Sequence, residues 1–437
     1  MYASYRPVNF SRFLAPVLLF VLRFTPAFAL SDSLPEVTMT DRTYTDHIKT
    51  VLLHMEGDPL SMPLLELRGG YKLELHFDDM DDVFREYRYT FVHCNADWSP
   101  SDLNQDEYLT GWPENRIPTY THSFNTLVPY THYQLSLPND DVQFTKSGNY
   151  IIKVFDANEP ERILITRRFM IVDRQVTVAP DLKKPSRLDD MNYKQEIDFN
   201  IFRGSYEIQD PFGAFKVVLM QNGRWDNAVT DMKPLFVKDD VLIYDDDTKN
   251  VFPGNNEYRF FDTKSLRYLS ERIHDIRRDS TGTHVYLYAD EKRPFKRYAS
   301  QPDINGKFLV AVQEGRDAIT DADYVHVHFA LPMAHPMLGG DMYVYGALSD
   351  NQCEPAFKMT YNSDRLAYIL DVMLKQGYYN YVYAFKAKGD SVPDITEVEG
   401  MHFETENDYM ILVYDRPFGD DYDHLIGYIQ FNSLKKL

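Results

Sequence analysis

The sequence predicts an all-β protein made of tandem antiparallel β-sandwiches of the immunoglobulin-like or early-set-like kind. Short segments alternate between apolar and polar residues, and Gly, Pro, Asn and Asp bound them, which is typical of sandwich strands. The chain has 437 residues, of which 44% are hydrophobic and 14% aromatic. That is enough apolar material for more than one core.

The clearest strand signal lies between residues 71 and 77. The face expected to meet a core consists of Tyr71, Leu73, Leu75 and Phe77. The face expected to meet water consists of Lys72, Glu74 and His76. Similar alternation predicts strands at 86–93, 150–155, 163–172, 215–221, 284–289, 324–331, 342–348 and 378–385.

One segment carries two signals. A helical stripe that Asp262 would cap is formed by Leu266, Leu269, Ile273 and Ile276. The alternation from Arg272 to Arg278 instead suits one arm of a hairpin. We favour extended structure here, because the segment that follows has a plain strand pattern.

The N-terminus has the pattern of a secretory signal. Arg6 and Arg12 precede an apolar run, and Ala27-Phe28-Ala29 fits the A-x-A cleavage motif. The run is too short for a membrane helix, so a removed signal at 1–29 is favoured over a retained anchor. Polar, Pro-containing stretches then predict sandwiches at 30–178, 179–308 and 309–437.

Charge narrows the choice of partner. Lys and Arg number 46 and Asp and Glu 66, which gives a formal net charge of -20. A phosphate-backbone binder needs the opposite sign, so nucleic acid and anionic lipid are poor partners. No stretch after the signal is apolar enough to predict direct membrane insertion, so an exported, soluble protein is expected.

The chemistry-bearing residues form no recognisable catalytic or metal motif. The sequence lacks G-x-S-x-G, H-E-x-x-H, a P-loop and paired C-x-x-C, so neither an enzyme nor a cofactor is predicted. His326 and His328 share a strand face but have no third ligand fixed by sequence, and two ordinary strand histidines are favoured over a metal site.

Acidic runs and cysteines receive structural interpretations. The run from Asp245 to Asn250 lacks the Gly and Glu of a calcium loop, so a solvated acidic turn is expected. The same interpretation is given to the runs 78–82 and 419–423. Cys94 and Cys353 are the only cysteines; whether they pair stays open.

Four segments together resemble the plug protein family of the bacterial type IX secretion system. They are residues 91–103 (FVHCNADWSPSDL), 144–150 (FTKSGNY), 220–228 (MQNGRWDNA) and 252–263 (FPGNNEYRFFDT). The resemblance covers essentially the whole mature chain. None of the four segments is catalytic in character.

The resemblance implies a non-enzymatic periplasmic protein, associated with the outer membrane through a protein partner. It would seal the translocon barrel of this system when no cargo is passing, and the barrel is its implied partner. Such a role needs an adhesive surface with aromatic and Arg anchors. The candidate interface residues are Trp98, Trp112, Trp225 and Arg259.

The alternative is an exported carbohydrate-binding β-sandwich protein that stacks sugars on Trp98, Trp112 or Trp225. The segment from Met342 to Phe385 resembles the early-set sandwiches that accompany starch- and glycogen-acting enzymes. All three tryptophans lie upstream of that segment, so the usual stacking platform is missing. A hydrolase fused to sandwiches is the weakest reading, since it needs a pair of carboxylates that converge in space.

Overall fold

The computed structural model describes residues 1–5 and 36–434. Residues 1–36 separate from the remaining chain as a unit, whose described residues 1–5 have no regular structure. The predicted signal sequence and its cleavage site therefore lie almost wholly outside the described residues. Among the residues described, none of the helices has the length and apolar character needed to cross a membrane.

The first sandwich occupies residues 42–172 and contains two main sheets. Its elements are β1 (Arg42–Thr43), β2 (Ile48–Met55), β3 (Leu64–Glu66), β4 (Leu73–Asp79), β5 (Tyr87–Cys94), α1 (Gln105–Tyr108), β6 (Leu109–Gly111), β7 (Asn115–Arg116), β8 (Thr119–His122), β9 (Thr131–Leu137), β10 (Val142–Phe144), β11 (Gly148–Asp156) and β12 (Ile163–Val172). One sheet has the order β1-β12-β11-β5-β7 with β3 parallel to β12, and the other has the order β2-β4-β9-β8. Strands β6 and β10 form a separate two-stranded ribbon.

The second sandwich starts after residue 176 and is completed by the C-terminal strands. Its first elements are β13 (Thr177–Lys183), β14 (Lys194–Phe202), β15 (Lys216–Gln221), β16 (Phe236–Lys238), β17 (Val241–Tyr244) and β18 (Val251–Pro253). One sheet has the order β13-β14-β17-β16, with β18 beside β14. Its partner sheet contains β15 and two strands from the end of the chain.

The third sandwich lies between these two parts of the second. Its elements are β19 (Arg259–Asp262), β20 (Ile273–Asp279), β21 (Gly282–Leu287), β22 (Phe308–Val310), α2 (Ala318–Asp321), β23 (Tyr324–Pro332), β24 (Gly340–Tyr345), β25 (Thr360–Asn362), β26 (Ala367–Lys375), β27 (Gly377–Ala387) and α3 (Thr396–Glu399). Short 3-10 turns occupy Ala347–Ser349 and Pro355–Phe357. One sheet has the order β20-β21-β23-β26-β25, and the other is built around β27.

The chain then returns to the second sandwich through β28 (Asp408–Asp415) and β29 (His424–Asn432). Strand β28 pairs antiparallel with β15, and the sheet order is β15-β28-β29. The core between the two sheets of this sandwich contains Phe199, Val217 and Ile411, which are at most 1% exposed. The second sandwich is therefore made from two segments that are distant in sequence.

The predicted all-β fold class is confirmed. Each segment for which alternation predicted a strand contains one, including β12, whose bounds match the prediction. The segment with two signals contains no helix, and its second half is strand β20. Periodicity was sufficient because each strand buries at least one face.

The expectation of a water-facing side on β4 is wrong. Leu73, Leu75 and Phe77 are fully buried in the first core, as predicted, but Tyr71, which was expected on the same face, precedes the strand and is 70% exposed. His76, on the opposite face, is nevertheless only 7% exposed, and it contacts His54 and His132 from the neighbouring strands. Both faces of this strand are therefore packed.

The boundaries at residues 178 and 308 remain predictions. Strand pairing crosses residue 308 in three sheets, because β15 pairs with β28, β19 pairs with β27 and β21 pairs with β23. A cut at this position would separate strands that hydrogen-bond to each other. Residues 42–172, by contrast, contain both partners of every β1 to β12 pair described above.

We expect a fragment of residues 309–437 to lack a cooperative unfolding transition, because β27 and β28 lose their partner strands. The matched fragment 36–178 keeps its strand pairs and should unfold cooperatively. Urea titrations followed by circular dichroism measure both. A sharp, native-like transition for 309–437 would contradict the expectation.

Candidate functional site

Trp98 and Trp225, two of the predicted interface residues, pack against each other. Their rings meet edge to face with centroids 4.9 Å apart. The guanidinium of Arg168 lies 4.4 Å from the Trp98 ring centroid and 5.2 Å from that of Trp225. Cation–π contact of this kind is stronger away from water, and burial lowers the pKa of Arg168.

This aromatic contact joins the first two sandwiches. Trp98 belongs to a buried cluster that combines Ile151 and Met170 of the first sandwich with Met220 and Leu412 of the second. Trp98 is 6% exposed, and its backbone has a positive φ of 66° in the loop after β5. Its role as an outward contact residue stays a prediction.

Asp423 fixes the same joint with charge. This carboxylate is fully buried and accepts hydrogen bonds from Lys216 Nζ at 2.8 Å and Arg416 Nε at 2.9 Å. It also accepts one from the Ala96 backbone N–H of the first sandwich at 3.0 Å. The expectation of a solvated acidic run at 419–423 is therefore wrong for Asp423.

Arg259, the fourth predicted interface residue, is also buried, at 8% exposure. Its Nη1 donates to Asp290 at 2.8 Å and its Nε to Glu399 at 3.0 Å. Asp290 also accepts from the hydroxyls of Tyr381 and Tyr383, at 2.7 Å and 2.8 Å. The guanidinium thus closes a buried ion-pair network in the third sandwich, and a contact role for it stays a prediction.

The charges of this network are stabilised by one another. Burial acts to raise the pKa of Glu399, but Arg259 and Arg293 hold that pKa below its ordinary value. Arg293 Nε lies 2.8 Å from the same carboxylate. Glu399 therefore remains ionised only while its cations are in place.

Sequence reasoning missed a second joint, between the first and third sandwiches. Asp78 is 1% exposed and accepts from Lys375 Nζ and from the Tyr324 hydroxyl, both at 2.6 Å. His132 Nδ1 lies 2.7 Å from its other oxygen. Burial opposes the charge, but Lys375 and His132 lower the pKa of Asp78.

The expectation of a solvated run at 78–82 is accordingly wrong for Asp78 and Asp79, both of which are buried. The sequence did contain one signal of this burial, which was the position of Asp78 within the strand. Asp78 continues the alternating face of β4 after Glu74 and His76. A carboxylate at an in-register strand position is a candidate for burial with a partner.

Trp112 is the predicted residue that lies outside the joints. It is 73% exposed, in the loop between β6 and β7. Strands β7 and β8 are terminal in the order of their respective sheets, and every residue of β8 is exposed. We call this side of the first sandwich the β7–β8 edge.

Large apolar side chains are concentrated at and beside this edge. The Phe84 and Tyr120 rings lie 4.8 Å apart, and the Arg116 guanidinium lies 5.8 Å from the Phe84 ring centroid. The exposed large apolar residues of segment 83–127 are Val83, Phe84, Trp112, Tyr120, Phe124 and Leu127. Unpaired strands with exposed aromatic rings form an adhesive surface.

The remaining candidate groups are locally satisfied. Asp246 accepts from the Thr248 and Lys249 N–H groups, which closes the turn in the run from Asp245 to Asn250. Cys94 and Cys353 are both free thiols, and burial raises their pKa values to about 12 and about 11.

His326 and His328 have polar neighbours that the sequence did not indicate. His326 Nδ1 lies 3.0 Å from Asp371 Oδ1 on the adjacent strand. His328 Nε2 lies 3.0 Å from Nδ1 of His284. The two histidines share these partners: the His284 ring centroid lies 4.8 Å from that of His326 and 5.2 Å from that of His328, and Asp371 Oδ2 lies 3.9 Å from His328 Nδ1.

Three sandwiches that meet through buried ion pairs and aromatic contacts define a multi-domain β protein, and its first sandwich presents exposed aromatic side chains at the β7–β8 edge. Residues 48–173 match the family model described as "Type 9 secretion system plug protein 1st domain". This chain belongs to the type 9 secretion system plug protein family.

A solved structure supports the same fold over almost the whole chain. The crystal structure of a hypothetical protein from Parabacteroides merdae is 34% identical and superposes with a TM-score of 0.88. The match covers 91% of this chain and 100% of that chain. None of the curated proteins matches.

We expect Arg259→Met to lower the free energy of unfolding by about 3–5 kcal/mol at pH 7, because it leaves buried carboxylates without their cation. Arg277→Met is the control, since Arg277 forms an exposed pair with Asp275 and should change stability little. Urea unfolding measures both. Equal stability of the two variants would contradict a structural role for Arg259.

The Arg259→Met effect should also depend on pH. The folded pKa of Glu399 lies below its unfolded value of about 4.3. Its stabilising contribution is therefore present above that value and is lost as pH falls through the folded pKa. Without Arg259, burial raises this pKa, so the stability difference from wild type should shrink between pH 7 and pH 4. A pH-independent difference would contradict this account.

Proposed function

We propose that this protein is a periplasmic plug that seals the outer-membrane translocon barrel of the type 9 secretion system when no cargo is passing. Family membership carries the proposal, because the matched segment 48–173 is described as the first domain of a plug protein. The barrel is the proposed partner, and association with the outer membrane occurs through it. The proposed role is non-catalytic.

The joints support a sealing role. An obstruction must keep its shape against molecules that diffuse into it. Here Asp78, Glu399 and Asp423 are each buried with hydrogen-bonded cations. Separating the sandwiches would unpair Asp78 and expose Asp423, which is costly, and the Glu399 network holds the third sandwich together internally, so the body resists opening.

The β7–β8 edge supports the choice of contact surface. It lies in the segment that matches the plug domain, and its exposed aromatic residues include Trp112 at 73% exposure. Trp and Tyr are the residue types that most often dominate binding energy at interfaces, with Arg. We therefore propose that this edge contacts the barrel.

The glycan-binding alternative receives less support. It needs exposed indoles, whereas Trp98 and Trp225 pack against each other at a joint. Trp112 is the one predicted stacking residue that is mostly exposed.

We expect Trp112→Ser combined with Phe84→Ser to reduce co-isolation with the translocon barrel by at least ~10-fold, because aromatic anchors at an interface each contribute on the order of 2 kcal/mol. The measurement is affinity capture from native membranes followed by mass spectrometry. The matched control is Phe418→Ser, which removes a 96% exposed phenylalanine outside segment 83–127.

A deletion strain tests sealing separately from binding. We expect its outer membrane to admit large polar solutes and the wild-type gene to restore exclusion. Unchanged permeability in a clean deletion strain would contradict the sealing proposal. Normal capture of the double variant would refute only the assignment of the β7–β8 edge.

A further inference from the structure

Two histidines and a glutamate converge on the face of the first sandwich that was expected to meet water. His54 lies on β2, and Glu74 and His76 lie on β4. His54 is directly opposite Glu74 in the strand register. One nitrogen or oxygen atom from each side chain lies within 4.8 Å of the other two.

The hydrogen bonds of His76 determine which of its nitrogens carries the proton. Asp78 is an ionised acceptor, so His132 Nδ1, at 2.7 Å, must donate to it. A neutral His132 then has an unprotonated Nε2, which lies 3.1 Å from His76 Nδ1. His76 Nδ1 therefore donates, and the lone pair of His76 Nε2 points away from this chain of hydrogen bonds.

A backbone carbonyl likewise determines which nitrogen of His54 carries the proton. Its Nδ1 lies 2.9 Å from the carbonyl oxygen of Met55, which can only accept. The proton of neutral His54 is therefore on Nδ1, and Nε2 has a free lone pair. Both histidines are only 7% exposed.

Glu74 supplies negative charge at the same place. One carboxylate oxygen accepts from Gln134 Nε2 at 3.0 Å, and the other lies 3.7 Å from His76 Nε2. One nitrogen of each imidazole and one carboxylate oxygen thus lie within 4.8 Å of one another, and both ring protons assigned above are directed to other groups. Such a set of acceptors is stable when a cation lies between them.

We propose that His54 Nε2, His76 Nε2 and a Glu74 oxygen bind a divalent transition-metal ion of the zinc type. Two imidazoles and one carboxylate are a common ligand set for Zn²⁺, and a water molecule would complete the tetrahedron. The Glu74 side chain is 17% exposed, so it has room to rotate toward the ion.

The surrounding groups have the arrangement that metal sites use. Ligand histidines usually donate their other ring N–H to a carbonyl or to a carboxylate, which fixes the tautomer. Here the Met55 carbonyl accepts the N–H of His54. For His76 the acceptor is His132, which in turn donates to Asp78. The ion would connect β2 to β4 next to the joint with the third sandwich.

A second histidine cluster provides an internal comparison. His284 Nδ1 and His328 Nε2 lie 3.0 Å apart and satisfy each other through a single shared proton. Asp371 lies beside them, so the residue types match those of the proposed site. This cluster differs from the proposed site because the proton shared by His284 and His328 already gives their lone pairs a donor.

The test is a Zn²⁺ titration of the purified chain after removal of metal with a chelator, followed by calorimetry. We expect one tight equivalent and a higher melting temperature in its presence, because an ion that binds the native state stabilises it. Glu74→Gln and His54→Gln should each weaken this binding by at least ~10-fold. Glu74→Gln is nearly isosteric and keeps an oxygen for Gln134, so it tests charge with little change in packing.

The double variant His284→Gln, His328→Gln is the control and should retain the tight equivalent. The proposal is overturned if the chain shows no saturable binding, or if binding survives both Glu74→Gln and His54→Gln. It is also overturned if the tight equivalent disappears in the control instead. Co²⁺ absorption in the wild-type chain should report nitrogen and oxygen ligands in tetrahedral geometry.

Discussion

Buried carboxylates at the contacts between and within the sandwiches are the constraint on which this structure depends. Asp78, Glu399 and Asp423 are each at most 1% exposed, and each has a Lys or Arg within hydrogen-bonding distance. A buried charge is tolerated only with such partners. Correct placement of the sandwiches is therefore coupled to correct pairing of these charges.

The segments that carry the family resemblance gain a physical meaning from these joints. Residues 91–103 contain Trp98 and contact Asp423, and residues 220–228 supply Trp225 to the same joint. Segment 252–263 supplies Arg259 to the network around Glu399. A Cβ at Gly254 in that segment would lie 2.0 Å from the His402 carbonyl oxygen, so the close approach there requires glycine. These motifs describe how parts of the chain meet, which is why none has catalytic spacing.

The strands were predictable from sequence because their signal is local. The alternation of apolar and polar residues in β4 is visible within a seven-residue window, although both faces of the strand are packed. The pairing of β15 with β28 was not predictable, since it depends on segments almost two hundred residues apart that share no local pattern.

The residues at the joints could not be identified from the sequence, for a related reason. Asp78 and Asp423 have the same appearance in sequence as solvated acids, and only their partners distant in sequence distinguish them: Lys375 across the joint for Asp78, and Lys216 with the Ala96 N–H for Asp423. Arg259 and Trp98 contact residues of their own chain, and their expected role toward an external partner stays a prediction. A residue type suited to an interface says nothing about whether that interface is internal.

This division between internal and external contacts is relevant to the proposed role in sealing the translocon barrel. Arg and Trp side chains such as Arg168 and Trp225 are committed at joints, whereas Trp112 and Phe84 are exposed on one edge of the matched domain. Exposed aromatic residues on the β7–β8 edge offer a place for an external contact, while the interior joints remain closed by buried charge. An oriented contact by a body that does not deform is what occlusion of an opening requires.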